Sequence, residues 1–196
     1  MSDVNMKSYE NYEDCIDYVL VSSEKIDDIT TRIAAEIDET YRDSENRLLL
    51  LCILKGSVVF MGDLMKKIKI PVEIDFMKVS SYHSSTVSSG KINIMLDLHR
   101  KDLSELDIVI VEDIIDSGRT LSYLVNYLKL NGAASVRCCT LLDKPDRRDV
   151  SLKDFNADFV GCVIPDEFVV GYGLDYDEKL RALPYVGVLK PSVYTE

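Results

Sequence analysis

Three carboxylates and a small polar turn stand close together in Val109-Ile110-Val111-Glu112-Asp113-Ile114-Ile115-Asp116-Ser117-Gly118-Arg119-Thr120-Leu121. Ser117, Gly118 and Thr120 can present backbone N–H groups and a hydroxyl to a phosphate at a helix N-terminus. Glu112, Asp113 and Asp116 can face a cation. One turn therefore offers an anion cradle beside a cation site, a pairing that suits a sugar phosphate carrying a magnesium-bound diphosphate. The plainer alternative is a solvated turn whose acids favour the following helix dipole. Three carboxylates after a buried strand weigh against it, because their repulsion raises carboxylate pKa values unless a cation or donors offset it. Magnesium held through sugar hydroxyls and water is a natural compensation. A P-loop nucleotidase also ends a strand in acids, but no GxxxxGK[ST] occurs in the chain.

The elements that must position this turn are legible from periodicity. Ser22-Ser23 can cap a helix whose apolar face is Ile26, Ile29, Ile33, Ile37 and Tyr41. Leu48–Leu54 is a continuous apolar strand, and Lys55-Gly56-Ser57 turns it into a helix through Ile68. Val72–Val79 alternates as a strand does, and Asn93–Leu96 forms a short one. Asp107–Val111 is the strand before the acids, followed by a helix from Gly118 to Leu130 that Asn131-Gly132 stops. Val136–Leu142, Asp158–Ile164 and Phe168–Tyr172 supply further strands. Strands alternating with helices favour an α/β fold with a mainly parallel central sheet. In such sheets ligands bind beyond the carboxyl ends of the strands. The turns at Lys55, Glu112, Lys144 and Asp166 all follow strands and should converge on one edge.

Composition narrows the classes. A chain of 196 residues suits one domain, and 46% hydrophobic content argues against disorder. The net charge of −11 and pI near 4.7 disfavour nucleic-acid and anionic-membrane partners, so an anionic substrate needs a local basic patch or a metal ion. Apolar runs are too short to span a bilayer, and Met1–Tyr18 lacks the basic start and apolar stretch of a signal peptide. Cys15, Cys52, Cys138, Cys139 and Cys162 show no CxxC pairing and read as buried thiols in a reducing cytoplasm. No repeat and no Pro- or Gly-rich linker divides the chain, which is expected to be a single domain over 1–196.

The Val109–Leu121 segment resembles the phosphoribosyl-diphosphate signature of type I phosphoribosyltransferases, and its Glu-Asp-Ile-Ile-Asp-Ser-Gly form resembles the hypoxanthine–guanine branch. Leu54-Lys55-Gly56-Ser57 is similar to that family's diphosphate loop, and Ser80-Ser81-Tyr82 to the start of its mobile catalytic loop. Leu142-Asp143-Lys144-Pro145 and the run from Pro165 to Tyr176 resemble its purine-binding segments. The resemblance covers Leu48 to Val188 in order. It implies a Rossmann-like, mainly parallel sheet flanked by helices, a small hood from the N- and C-terminal segments, and a lid loop over about 80–91.

The resemblance also implies roles. Asp116 would be the base facing the seven-position nitrogen of a purine. Glu112 and Asp113 would bind ribose hydroxyls and place Mg2+, with Asp175 contacting the metal and the base region. Groups from Asp116 through Ser117, Gly118, Arg119 and Thr120 would hold the ribose 5-phosphate. Lys55, Gly56 and Arg181 would hold diphosphate, with the Lys55–Gly56 peptide cis. Lys144, alone an ordinary surface lysine, would donate to the six-position oxygen. Phe168, alone a core residue, would stack on the purine; Val169 would offer its backbone and Ile114 an apolar contact.

The Ser- and Thr-rich Ser80–Lys91 run is either a plain surface loop or a lid that excludes water from a reactive intermediate. The implied activity is transfer of 5-phosphoribosyl from phosphoribosyl diphosphate to a 6-oxopurine, in a cytoplasmic homodimer or homotetramer. Glu167 is acidic where some relatives carry lysine, which leaves the choice among hypoxanthine, guanine and xanthine open. A signalling receiver domain is disfavoured because receivers place their acid pair near the chain start. A regulatory RNA-binding protein on the same fold requires a basic face, which the net charge opposes.

Overall fold

The computed structural model describes residues 12–81, 92–100 and 102–195. In chain order the elements are β1 (Ile16–Val21), α1 (Ser23–Tyr41), β2 (Arg47–Ile53), α2 (Val58–Met65), β3 (Val72–Ser81), β4 (Ile92–Leu96), β5 (Leu106–Ile115), α3 (Arg119–Leu130), β6 (Ser135–Asp143), β7 (Phe159–Val163), β8 (Val169–Val170), β9 (Val186–Leu189) and α4 (Pro191–Tyr194).

The unbroken apolar run of β2 is explained by burial on both faces. Leu48, Leu50 and Cys52 join one core cluster with the α1 stripe Ile26, Ile29, Ile33 and Ile37 and with Phe60 and Leu64 of α2. Leu49, Leu51 and Ile53 join a second cluster with Leu121, Leu124 and Leu128 of α3. Each fully buried Leu or Ile side chain contributes about 1.5–3 kcal/mol of transfer free energy. Helices on both faces of one sheet are therefore the arrangement that this sequence pattern demands.

Six strands form that sheet in the order β4-β3-β2-β5-β6-β7, and a smaller sheet runs β1-β9-β8. The β2, β3, β5, β6 and β7 ladders are parallel, and β4 pairs antiparallel with β3. From β2 the chain builds outward through β3 to β4; it then returns to β5 and builds the other way through β6 to β7. The reversal falls between β2 and β5, the place where open α/β sheets leave a crevice for ligands. The small antiparallel sheet joins the N-terminal strand β1 to the C-terminal strands β8 and β9. The mixed sheet with flanking helices is the architecture that the resemblance implied.

Several boundaries differ from the sequence reading. β5 does not stop before the acids but continues through Glu112 and Asp113 to Ile115, because β6 still pairs with it there (Glu112 with Thr140, Ile114 with Leu142). Its β2 partner ends earlier, with Cys52 against Val111. Past Val111, β5 is therefore open on the β2 side. α2 ends at Met65 rather than Ile68, because the buried Asp38 carboxylate accepts from Lys69 N at 2.9 Å and Ile70 N at 3.1 Å and draws those residues off the helix. The Phe168–Tyr172 strand shrinks to Val169–Val170. Cys52, Cys138, Cys139 and Cys162 are free thiols, and burial pushes the Cys52 thiol to about 11 and that of Cys138 to about 12. Among the described residues no helix is long and apolar enough to cross a membrane.

Candidate active site

Where β2 ends, the Leu54–Lys55 peptide is cis, one bond earlier than the sequence reading placed it. The turn is held by the buried Ser57, whose hydroxyl donates to the Ile53 carbonyl, and by Val58 N donating to Lys55 O at 3.2 Å. Gly56 then lies against two other segments. A Cβ there would fall 1.5 Å from Asp113 Oδ2, and a Cβ on Gly173 would fall 1.9 Å from the Gly56 carbonyl oxygen. The β2 turn, the open flank of β5 and the 171–183 segment thus meet at distances that only hydrogen-sized side chains permit. Gly173 was not singled out in the sequence, where nothing separates it from other glycines.

Two cations face this corner. Lys55 Nζ lies 2.7 Å from Glu178 Oε2. Arg181 donates to the Gly173 carbonyl at 2.8 Å and pairs with Asp175 at 2.8 Å and Glu178 at 3.3 Å. Glu178 therefore bridges Lys55 and Arg181, which hold its carboxyl below the usual range, Lys55 contributing most. Its backbone is left-handed (φ 61°), and Asp175 Oδ2 accepts from its N–H at 2.9 Å. Sequence reasoning missed Glu178 because a Glu among Asp-Glu-Lys looks like solvated surface.

Glu112 and Asp113 sit on the open flank of β5, partly covered. Desolvation raises Glu112 well above the usual carboxylate range, with repulsion from Asp113 next. Desolvation also lifts Asp113, to about 6, against donation from Ile114 N to its carboxylate at 2.7 Å. Two desolvated acids with few donors are suited to a cation. Among the described residues, no group of three or more His, Cys, Asp or Glu side chains is arranged to hold a metal on its own.

The other half of the site lies beyond β5 and β6. Asp116 is exposed, and Gly118 (φ 78°) caps α3 in a left-handed conformation that a side chain would strain. Lys144 follows β6; its N–H donates to the Ile115 carbonyl at 2.9 Å, so the ends of β5 and β6 are tied together. Its side chain is buried, not the surface lysine its sequence context suggests, and Nζ donates to Glu167 O at 2.6 Å. Phe168 is 39% exposed, with Tyr194 stacked at 5.0 Å and the Tyr176 edge at 5.7 Å. Val169 is buried in β8, paired with Val188, and Ile114 packs against the α1-side core.

Lys55, Lys144 and Asp166 thus follow strands at the carboxyl edge of the large sheet, while Glu112 lies near the end of β5 itself and not in a turn. Ser80 and Ser81 end β3 opposite Asn93 and Ile92, while Tyr82 and the rest of 82–91 lie outside the described residues. A cavity of about 390 Å³ opens between α1, α2 and the 181–184 segment. Of the predicted site residues it contains only Arg181, so the strand ends define the site and the cavity does not.

A crevice at the sheet reversal, a left-handed turn leading into a helix, a pair of desolvated acids and an aromatic next to a buried lysine define an α/β domain with its charged site at the carboxyl ends of the strands. The chain belongs to the phosphoribosyl transferase domain family, whose pattern matches residues 20–177. Hypoxanthine-guanine phosphoribosyltransferase of Bacillus subtilis is 51% identical over 179 residues, covering 91% of this chain and 96% of that protein. The bifunctional protein TilS/HprT of Listeria innocua is 46% identical over 98% of this chain, but the chain spans only 29% of that protein's length. Among solved structures, a hypoxanthine phosphoribosyltransferase from Staphylococcus aureus superposes with a TM-score of 0.86 at 43% identity, covering 94% of this chain and 97% of the other.

Proposed function

We propose that this protein transfers the 5-phosphoribosyl group of 5-phosphoribosyl 1-diphosphate to hypoxanthine or guanine, giving IMP or GMP and diphosphate, in purine salvage. The observation that carries the reading is the bond from Lys144 N to Ile115 O, which ties a buried lysine to the end of β5 where the Asp116–Thr120 loop begins. The similar B. subtilis and S. aureus proteins, named for this activity or its hypoxanthine form, support it.

In the reaction a bond forms from the purine nitrogen to the anomeric carbon, and the carbon–oxygen bond to diphosphate breaks, its electron pair leaving with diphosphate. Asp116 takes the proton at the seven-position nitrogen, general-base help typically worth about 10²–10⁴-fold. The N–H groups and hydroxyls of Ser117, Gly118, Arg119 and Thr120 hold the 5-phosphate. Lys144 donates to the six-position oxygen, so an aminopurine, which presents a donor there, is rejected. Phe168 covers one purine face, Val169 offers its backbone, and Ile114 supplies an apolar wall.

Lys55 and Arg181 receive diphosphate beside Gly56, and for this they must exchange Glu178 for the ligand. Glu112 and Asp113 bind the ribose hydroxyls, and they and Asp175 would hold Mg2+ together with substrate oxygens and water. Bound Mg2+ supplies positive charge to the departing diphosphate. Magnesium usually takes one or two carboxylates plus substrate oxygens and water, so the acid pair fits it without a closed protein cage. The small sheet serves as a hood, in a homo-oligomeric cytoplasmic enzyme.

Diphosphate release measured with hypoxanthine, guanine, xanthine and adenine tests the reading. Turnover with the oxopurines, abolished by chelation and restored by Mg2+, is expected. Adenine as the best substrate overturns it.

A further inference from the structure

Arg148 belongs to no turn that the sequence singles out, and its neighbour Arg147 is an exposed residue paired with Asp166 at 2.7 Å. Arg148 itself is drawn inward: its side chain is only 5% exposed. One arm of the guanidinium donates to the Asp116 carbonyl at 2.6 Å, and the other pairs with the buried carboxylate of Asp143, the last residue of β6. Its stem forms a floor with Phe155 beneath the left-handed turn, where a Cβ on Gly118 would meet Arg148 Cδ at 3.1 Å and Phe155 at 3.3 Å. The next residue continues the strap: Asp149 N donates to Ser117 O at 3.1 Å, and the Asp149 carboxylate takes Arg119 Nε at 2.7 Å.

We infer that Arg148 is a positioning residue that sets the Asp116–Thr120 loop from below and couples it to the purine-side end of β6. The Asp116 carbonyl that Arg148 grips shares its peptide plane with the Ser117 N–H and lies one peptide before the Gly118 N–H. Fixing that peptide fixes both the direction of the Asp116 carboxylate and the aim of the N–H groups that would hold a phosphate. The planar fork of arginine is what permits this, since two separate donors reach two acceptors on different strand ends. An ammonium on a longer flexible stem reaches one of them at a time. Asp143 adjoins Lys144, so an occupant on Lys144 is linked through Asp143 and Arg148 to the loop, and this link deepens the proposed function and rests on it.

Arg148→Gln and Arg148→Lys are compared with the parent chain. In Arg148→Gln, kcat for hypoxanthine is expected to fall about 10–100-fold, the cost of a misplaced catalytic group. Calorimetric affinity for IMP falls about 10-fold or more, while that for diphosphate, held at the Lys55 and Arg181 corner, stays within about twofold. Arg148→Lys keeps the charge beside Asp143 and is expected to retain the melting temperature but not kcat, which separates positioning from folding if the glutamine variant is unstable. Unchanged kcat and IMP affinity in either folded variant, or equal loss of IMP and diphosphate binding, overturns the inference. A parent chain that turns over no oxopurine instead overturns the proposed function, while the selective loss of IMP over diphosphate binding still tests Arg148.

Discussion

The two ends of the site are built by opposite means. At one end, the Asp116–Thr120 loop is held by a buried arginine and by Asp149 N donating to Ser117 O, while the Lys144 N–H ties down Ile115 just before it. At the other end, Lys55 is held by Glu178, whose side chain is 65% exposed and which also reaches Arg181 at 3.3 Å, outside that arginine's closer bonds to Asp175 and the Gly173 carbonyl. Exposed ion pairs contribute at most about 1 kcal/mol and exchange readily, whereas a buried pair is costly to break. Under the proposed function, the difference suits what each end must do. A leaving group has to be released in every cycle, so its cations are better served by a loose carboxylate than a rigid one. A base and a proton acceptor must keep their alignment, and a rigid floor does that.

The comparison can be broken at several points, from the largest expected effect down. Asp116→Asn removes the proton acceptor from the rigid end and should lower kcat by about 10²-fold or more while IMP still binds. Unchanged turnover removes that carboxylate from the chemistry. Gly56→Ala forces a methyl into the Asp113 carboxylate and should cost about 10² in kcat/KM through displacement of the acid pair. Crystals of this variant with the 113 region unmoved would show the close contact to be dispensable. Lys144→Met should cost about 10–100-fold in kcat/KM for hypoxanthine, the loss of one charge-assisted bond, and narrow the gap to adenine.

Asp113 supplies a test through stability. Its folded pKa, about 6, lies above the ordinary 3.8, so the folded chain holds a proton that the unfolded chain has released between those values. The stabilising contribution is full below pH 4 and is lost as the pH rises through 6. Asp113→Asn should therefore raise the melting temperature of the ligand-free protein at pH 7 by about 2–6 °C and change it little at pH 4, while activity falls. A lower melting temperature at pH 7 would mean that the acid pair stabilises the fold instead of straining it. The smallest effect belongs to the loose end: Glu178→Gln should lower the KM for phosphoribosyl diphosphate by about two- to fivefold with kcat nearly constant. A raised KM would make Glu178 a support for the two cations, not a competitor for them.

Much of this was readable in the chain itself. The α1 stripe, the apolar β2 run and the alternation of strands with helices dictated an α/β sheet covered on both faces, because burial selects periodicity and periodicity is written in residue type. The Glu112–Thr120 segment could be named because its chemistry is carried by a few consecutive residues, whereas Lys55-Gly56, Lys144 and Phe168 were given roles only through the family resemblance. Tertiary structure alone decided the rest. β5 runs on through its acids because β6 is longer than β2, a property of neighbours and not of β5. Gly56 and Gly173 matter because two turns 117 residues apart pack backbone to backbone. Of two adjacent arginines, one faces solvent and one lies under the anion loop. Identical residue types at adjacent positions carry no local signal of which is which; only the packing of β6 against β5 makes the distinction.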